Sequence, residues 1–265
     1  MVIKKSTSTI HTTAKLNRII KYIVIHYTAG VTSKQGSALN TANYFKTTSV
    51  DVSADFIVDD TDIVMYNGDI RNRYTWHCGG SRYATKGGRL YGKCTNANSI
   101  GIEICSTNAT GRMQDANSTT YSFTEEAVNN AKELVLYLMK LYNIPEENVI
   151  RHYDVTGKPC PGIIGWNTES GSNNKWKSFV DSITTSTGAE VKGSKLYYVQ
   201  VGAFSNKSNA EAYLKAAQKK YPNAFIKTSG LYYVQVGAFS SVQNAETYLS
   251  EVRKTYPNAF IKEST

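Results

Sequence analysis

Only four histidines occur in this chain of 265 residues, and one of them, His152, shares the segment RHYDVTGKPCPG (Arg151–Gly162) with Lys158 and Cys160. Zinc prefers imidazole and thiolate ligands, and a catalytic zinc site takes three protein ligands and keeps a fourth position open. His26, which closes the apolar run YIVIHY, would complete a set of His26, His152 and Cys160. His77 lies in YTWHCGG, whereas His11 sits in the polar start of the chain and has no assigned role. The same twelve residues also read as a rigid irregular turn, because Pro159 and Pro161 fix φ and remove donors while Gly157 permits a tight bend. What else meets His152 and Cys160 in space decides between metal site and turn. Asp154, two residues after His152, has two open roles: to hold a ligand imidazole from behind, which is preferred, or to compete as a ligand itself.

The elements that must position these residues are short. YIVIHY (Tyr22–Tyr27), ADFIVDD (Ala54–Asp60) and SIGIEIC (Ser99–Cys105) are β-branched runs bounded by polar residues or glycine, and read as buried strands. In the last of them Ile102 and Ile104 alternate with Glu103, which turns Glu103 to the other face. SFTEEAVNNAKELVLYLMKLYN (Ser122–Asn143) has helical apolar spacing, with Thr124 placed as N-cap before Glu125 and Glu126. Trp176, Phe179, Val180 and Ile183 predict an amphipathic helix over Asn174–Ile183 that closes the domain.

Thr184–Ser194 lacks periodicity and is rich in Ser, Thr and Gly, as a linker would be. Beyond it, LYYVQVGAFSNKSNAEAYLKAAQKKYPNAFIK (Leu196–Lys227) recurs almost unchanged at Leu231–Lys262. Each copy reads as strand, helix, strand, and is too short to hide its own apolar face, so the two should share one sheet with both helices on one side. The expected fold is α/β. Residues 1–184 form a domain with a central mixed sheet flanked by helices, 185–194 a linker, and 195–265 a smaller α+β domain of two β-α-β repeats (196–227 and 231–262).

The formal charge of +9 favours a polyanionic partner: nucleic acid, an anionic membrane or the acidic polymers of a cell wall. The strands LYYVQVGAF carry no Lys or Arg, which argues against nucleic acid. No apolar run reaches the ~18 residues of a membrane span, so membrane insertion is not expected. MVIKKSTSTIHTTAK has no apolar h-region after its lysines, so synthesis in the cytoplasm without a signal peptide is expected. Cys78, Cys94, Cys105 and Cys160 do not resemble a disulfide framework and are read as thiols, one of them a ligand.

The segments YIVIHYTAG, SADFIVDD, TWHCGG, SIGIEIC and RHYDVTGKPCPG, in this order, resemble the zinc-dependent type-2 N-acetylmuramoyl-L-alanine amidases, a family that includes phage endolysins. The resemblance runs from about residue 20 to 183. It implies that His26, His152 and Cys160 bind Zn2+ and that Glu103 is catalytic, taking a proton from water and passing it to the leaving amine. Lys158, two residues before Cys160, can stabilise the oxyanion; the resemblance puts His77 in contact with substrate, and Trp76 is assigned to packing or glycan stacking. Some relatives carry a catalytic tyrosine where Ala54 stands, and with none there the proton work falls to Glu103. The repeats, with YYVQVGAFS in each, resemble the SPOR domain, a peptidoglycan-binding module, although the two halves here are nearly identical.

Both resemblances imply one polymer. The expected protein is a peptidoglycan hydrolase that cuts between N-acetylmuramic acid and L-alanine, of the phage endolysin kind, reaching the wall through a holin. A non-catalytic peptidoglycan-binding protein is the alternative, against which the presence of Cys160 speaks; an exported autolysin is another. Oligomeric state is left open by the sequence.

Overall fold

The computed structural model describes residues 1–83, 87–115, 118–169, 171–188, 197–221, 224–239 and 242–263. They form two compact units, Val2–Glu190 and Val191–Thr265.

The first unit contains, in chain order, β1 (Ile3–Lys5), β2 (Thr12–Ala14), β3 (Tyr22–Tyr27), α1 (Ser37–Thr47), β4 (Phe56–Val58), β5 (Ile63–Met65), β6 (Arg73–Thr75), β7 (Ser99–Ile104), β8 (Thr107–Asn108), β9 (Tyr121–Ser122), α2 (Glu125–Tyr142), β10 (Val149–Arg151), α3 (His152–Thr156) and α4 (Asn174–Gly188). Six strands make a mixed sheet in the order β1-β5-β4-β7-β3-β10. Only the β4–β5 pair is antiparallel; β4, β7, β3 and β10 run parallel. The three central runs read from the sequence are these buried strands. Ile23, Ile25, Ile57, Ile100, Ile102 and Ile104 are fully buried, as strands covered on both faces require.

Helices pack on this sheet for legible reasons. The Thr124 hydroxyl accepts from the Ala127 N–H at the start of α2, as an N-cap should. The helix buries Ala127, Ala131, Leu134, Val135, Leu138 and Met139, the i, i+4, i+7 stripe of its sequence. Phe45, Ala38 and Ala42 of α1, an element the sequence reading passed over, share a core with Ile57, Val64, Tyr66 and Cys105. Helix α4 continues to Gly188, into the stretch expected to be linker, because no helix breaker precedes that glycine. The rest of the expected linker, from residue 189, lies outside the described residues.

The segment RHYDVTGKPCPG is more regular than its prolines and glycines suggested. Arg151 ends β10, residues 152–156 form the single turn of α3, and only then does the chain turn irregular at Gly157, in the left-handed region at φ 85°. Asp154 secures that turn: its carboxylate accepts from the Arg151 backbone N–H at 3.0 Å and from the Arg151 guanidinium at 2.9 and 3.0 Å.

In the second unit, β11 (Tyr197–Phe204), α5 (Lys207–Gln218) and β12 (Phe225–Ser229) come from the first repeat, and β13 (Leu231–Phe239), α6 (Val242–Arg253) and β14 (Phe260–Glu263) from the second. The sheet order is β12-β13-β11-β14, all antiparallel. The two strands of one repeat are therefore never neighbours: each closing strand pairs with the opening strand of the other repeat. Val199, Val234 and Val236 of the sheet meet Ala210 and Ala217 of α5 and Ala245, Leu249 and Val252 of α6 in one core, so both helices lie on one face.

Candidate metal centre and its cleft

Parallel pairing of β3 with β7 sets His26 opposite Glu103, and parallel pairing of β10 with β3 brings the start of α3 to the same carboxyl end of the sheet. His152, the first residue of α3, thereby stacks edge-on against His26 with ring centroids 4.7 Å apart. Cys160 is drawn back to this corner by its own backbone. Its carbonyl accepts from the Tyr153 N–H at 2.9 Å, and its N–H donates to the Lys158 carbonyl at 2.7 Å. The result is a buried set in which one ligand atom each of His26, His152 and Cys160 lies within 4.8 Å of the others. Among the described residues it is the one group of His, Cys, Asp and Glu side chains close enough to hold a metal ion. The Cys160 Sγ stands 3.6 Å from the His26 Nδ1.

Burial sets the protonation of this corner. It pushes His26 well below the ordinary imidazole value, aided by His152, His77 and the Lys158 charge. It takes His152 down to about 3, again with the Lys158 charge behind it. Both rings are therefore neutral and offer lone pairs. The Cys160 thiol is raised to about 12 by burial and the nearby Glu103, against the opposing pull of Lys158. Two neutral imidazoles and a thiol that needs a cation to ionise make a donor set that fits zinc.

Glu103 borders these three. Burial raises its carboxyl to about 8, while Lys158 and His77 pull it back. Its Oε2 is buried with no hydrogen-bond partner, as a carboxylate kept for a reacting group would be. Lys158 is half-buried and lines, with His152, Thr156, Trp76, His77 and Asp51, a cleft of about 870 Å³. Trp76 forms one wall, its indole N–H donating to the Thr13 hydroxyl at 2.9 Å and its ring meeting His11 edge-on at 5.6 Å. His11, which had no role by sequence, is thus a support for that wall.

His77 reaches the cleft by one edge, but it is 7 % exposed and both ring nitrogens are engaged. Its Nδ1 lies 3.1 Å from the His26 Nε2 and its Nε2 lies 3.2 Å from the Ser99 Oγ. Asp154 does not touch the His152 ring: its carboxylate is taken up by Arg151 and by Arg89 at 3.4 Å. Its support for His152 runs through the backbone of α3. The expected thiols Cys78, Cys94 and Cys105 are free and buried.

Two residues missed in the sequence hold the YTWHCGG loop. The Asn96 Oδ1 accepts from the backbone N–H groups of His77 and Cys78 at 3.1 and 2.8 Å, and Ser99 receives His77. The only sequence signal was the polar turn TNANS directly before the strand of Glu103. Asp55 accepts from the Gly101 N–H, the Thr75 hydroxyl and the Asn67 amide at 2.7–2.9 Å, tying β4 to β7 beneath the site.

Comparison with known proteins gives this geometry a context. The model of the N-acetylmuramoyl-L-alanine amidase family, Amidase_2, matches residues 16–163, and that of the SPOR domain matches residues 193–263. The N-acetylmuramoyl-L-alanine amidase CwlH of Bacillus subtilis is 33% identical over 165 residues, 62% of this chain and 53% of that protein. A probable N-acetylmuramoyl-L-alanine amidase of Bacillus licheniformis is 30% identical over 168 residues, 62% of this chain and 42% of that protein. The chain thus spans about half the length of the curated relatives it matches. Among solved structures, PlyL superposes with a TM-score of 0.50 at 28% identity, covering 69% of this chain and 97% of that one. The catalytic domain of XlyA superposes with a TM-score of 0.50 at 27% identity, covering 69% and 99%. With the buried His, His, Cys corner, the unpartnered glutamate beside it and the match over residues 16–163, the chain belongs to the N-acetylmuramoyl-L-alanine amidase family.

Proposed function

We propose that the chain is a zinc-dependent peptidoglycan hydrolase that cuts the amide bond between N-acetylmuramic acid and the L-alanine of the stem peptide. The observation that carries this reading is the convergence of His26, His152 and Cys160 within 4.8 Å, with His152 also lining the cleft and Glu103 as register partner of His26. A zinc ion held by those three side chains would supply Lewis acidity where the scissile carbonyl must lie.

The chain's own residues do the rest. Glu103 would take a proton from the attacking water and return it to the leaving amine, and a carboxyl near 8, which can work in both directions at neutral pH, supports that role. The Lys158 ammonium offsets the negative charge that develops on the amide oxygen. Trp76 and Asp51 border the groove that would receive the stem peptide and glycan. The repeat unit, matched by the SPOR model, would hold the same polymer and keep the catalytic unit at its substrate.

A lytic role against bacterial cell walls, of the endolysin kind, is the biological setting we infer. No described helix is long and apolar enough to cross a membrane. The deciding experiment is digestion of purified peptidoglycan with the wild-type chain and with Glu103→Ala, with and without chelator. Release of new L-alanine amino termini without new reducing sugars supports the proposal. New reducing ends would make the protein a glycosidase, and binding without release would make it a wall-binding protein.

A further inference from the structure

The hydroxyl of Ser99 has one proton, and it is directed at the Thr95 carbonyl oxygen 2.6 Å away. Toward His77 the same oxygen can only accept, so the His77 Nε2, 3.2 Å away, carries the ring proton. Against burial, Cys78 raises the proton affinity of His77, so the donor chain is that of the neutral ring, reached above its raised value; there the Nδ1 is a lone pair, and it faces the His26 Nε2 at 3.1 Å. Two lone pairs do not share such a contact. His26 is therefore protonated on Nε2, and its bare Nδ1 is the nitrogen turned to the Cys160 Sγ at 3.6 Å.

We propose that His77 is a positioning residue: with Ser99 behind it, it holds His26 in the Nε2–H tautomer so that Nδ1 is the atom presented to a metal. The proposal rests on reading the corner as a metal centre. The relay is anchored at every joint. The Ser99 carbonyl accepts from the buried Arg18 guanidinium, and the His77 N–H donates to Asn96 at 3.1 Å. The His77 ring lies so close over Gly101 that a Cβ there would stand 2.6 Å from its Cγ. With the ring packed against the Gly101 backbone and both nitrogens engaged, His77 has no freedom to flip and reverse the chain of donors. A ligand histidine locked in the right tautomer binds without first exchanging its proton, and loss of such a partner costs roughly 10–100-fold in metal affinity.

The test uses the full chain, labelled with 15N-histidine and free of metal, at a pH where the His77 ring nitrogens report a neutral imidazole, and reads the tautomer of His26 from long-range 1H–15N correlations. Zinc affinity is measured in parallel by competition with a chelating dye. Wild type is expected to show His26 as the Nε2–H form alone. In His77→Leu the two forms should mix and zinc affinity should fall roughly 10–100-fold. In His77→Gln, whose amide can both accept from His26 and donate to Ser99, most of that affinity should return. An Nδ1–H form of His26 in wild type would overturn the proposal, as would His77→Leu protein with unchanged tautomer and affinity. Should His77→Leu fail to fold, Ser99→Ala, which removes the acceptor for His77, is expected to give the mixed spectrum, and a single unchanged form there would overturn it equally. The tautomer is read without zinc, so a wild-type chain that binds none overturns the metal reading and not the relay.

Discussion

His26 and Glu103 are register partners on adjacent parallel strands, so a neutral imidazole and a buried carboxyl leave the same face of the sheet side by side. The pairing of β3 with β7 therefore fixes the spacing between a ligand and a proton carrier, and no loop intervenes to loosen it.

Glu103→Gln should separate those two roles. Activity on peptidoglycan is expected to drop by about 10²–10⁴-fold, the range for loss of a general acid-base group. Zinc content, measured by atomic absorption, should stay that of wild type. Loss of zinc together with activity would make Glu103 a structural support of the metal corner.

In the metal-free protein the stability that Glu103 contributes should be lost as pH rises from about 6.5 to 8. Glu103, raised to about 8, holds its proton in the folded state over a range where the unfolded chain has released it, so folding binds the extra proton and stability falls with pH. His26 and His152, lowered by burial, act oppositely below the ordinary histidine value near 6.5; His77, raised against burial by Cys78, adds to the fall, and Cys78, lowered by Cys94 and His77, opposes it, so the Glu103 part is the difference between wild type and Glu103→Gln. The slope from Glu103 is at most about 1.4 kcal/mol per pH unit. Urea melts across this window should show it in wild type, and Glu103→Gln should flatten it.

Zinc binding below pH 9 should release a proton from Cys160, whose thiol is held at about 12 in the free protein. Calorimetric titrations in buffers of different ionisation enthalpy should differ by about one proton per zinc. Cys160→Ser should bind zinc far more weakly, and Asp154→Asn, which disturbs the contacts to Arg151 and Arg89 and none to the ligands, should retain it while losing stability.

Much of this corner was legible because it is written in side-chain chemistry. His26, His152 and Cys160 stood out by residue type, Glu103 by the family resemblance of its strand, and the isoleucine runs around His26 and Glu103 predicted a buried sheet. Less visible were the parts made by backbone. The turn of α3 hides behind Gly157 and the prolines because what stabilises it is one carboxylate, that of Asp154, reaching back to Arg151. Likewise the engagement of both His77 nitrogens depends on Ser99 and Asn96, which in sequence are ordinary turn and strand residues. Helix α1 escaped notice because its buried stripe, Ala38, Ala42 and Phe45, is mostly alanine.

Gly101→Ala should act at a distance from the ligands. The added methyl would meet the His77 ring at 2.6 Å, so that ring must move. A loss of about 1–3 kcal/mol in stability is expected from overpacking, accompanied by weaker zinc binding, as read by thermal melts and dye competition.

Removal of residues 231–265 should abolish the repeat unit and not merely halve it. Among the described residues, strands β11 and β12 of the first repeat have as neighbours only strands of the second. The truncated chain should show rapid proteolysis beyond residue 196 and no pelleting with cell walls beyond that of the catalytic unit.

That interlacing also governs how such a module can change over generations. Because each half supplies the strand that completes the other, a substitution on one opening strand is felt by the closing strand of its twin, and neither half can drift alone. The module can be gained, lost or transferred between proteins only whole.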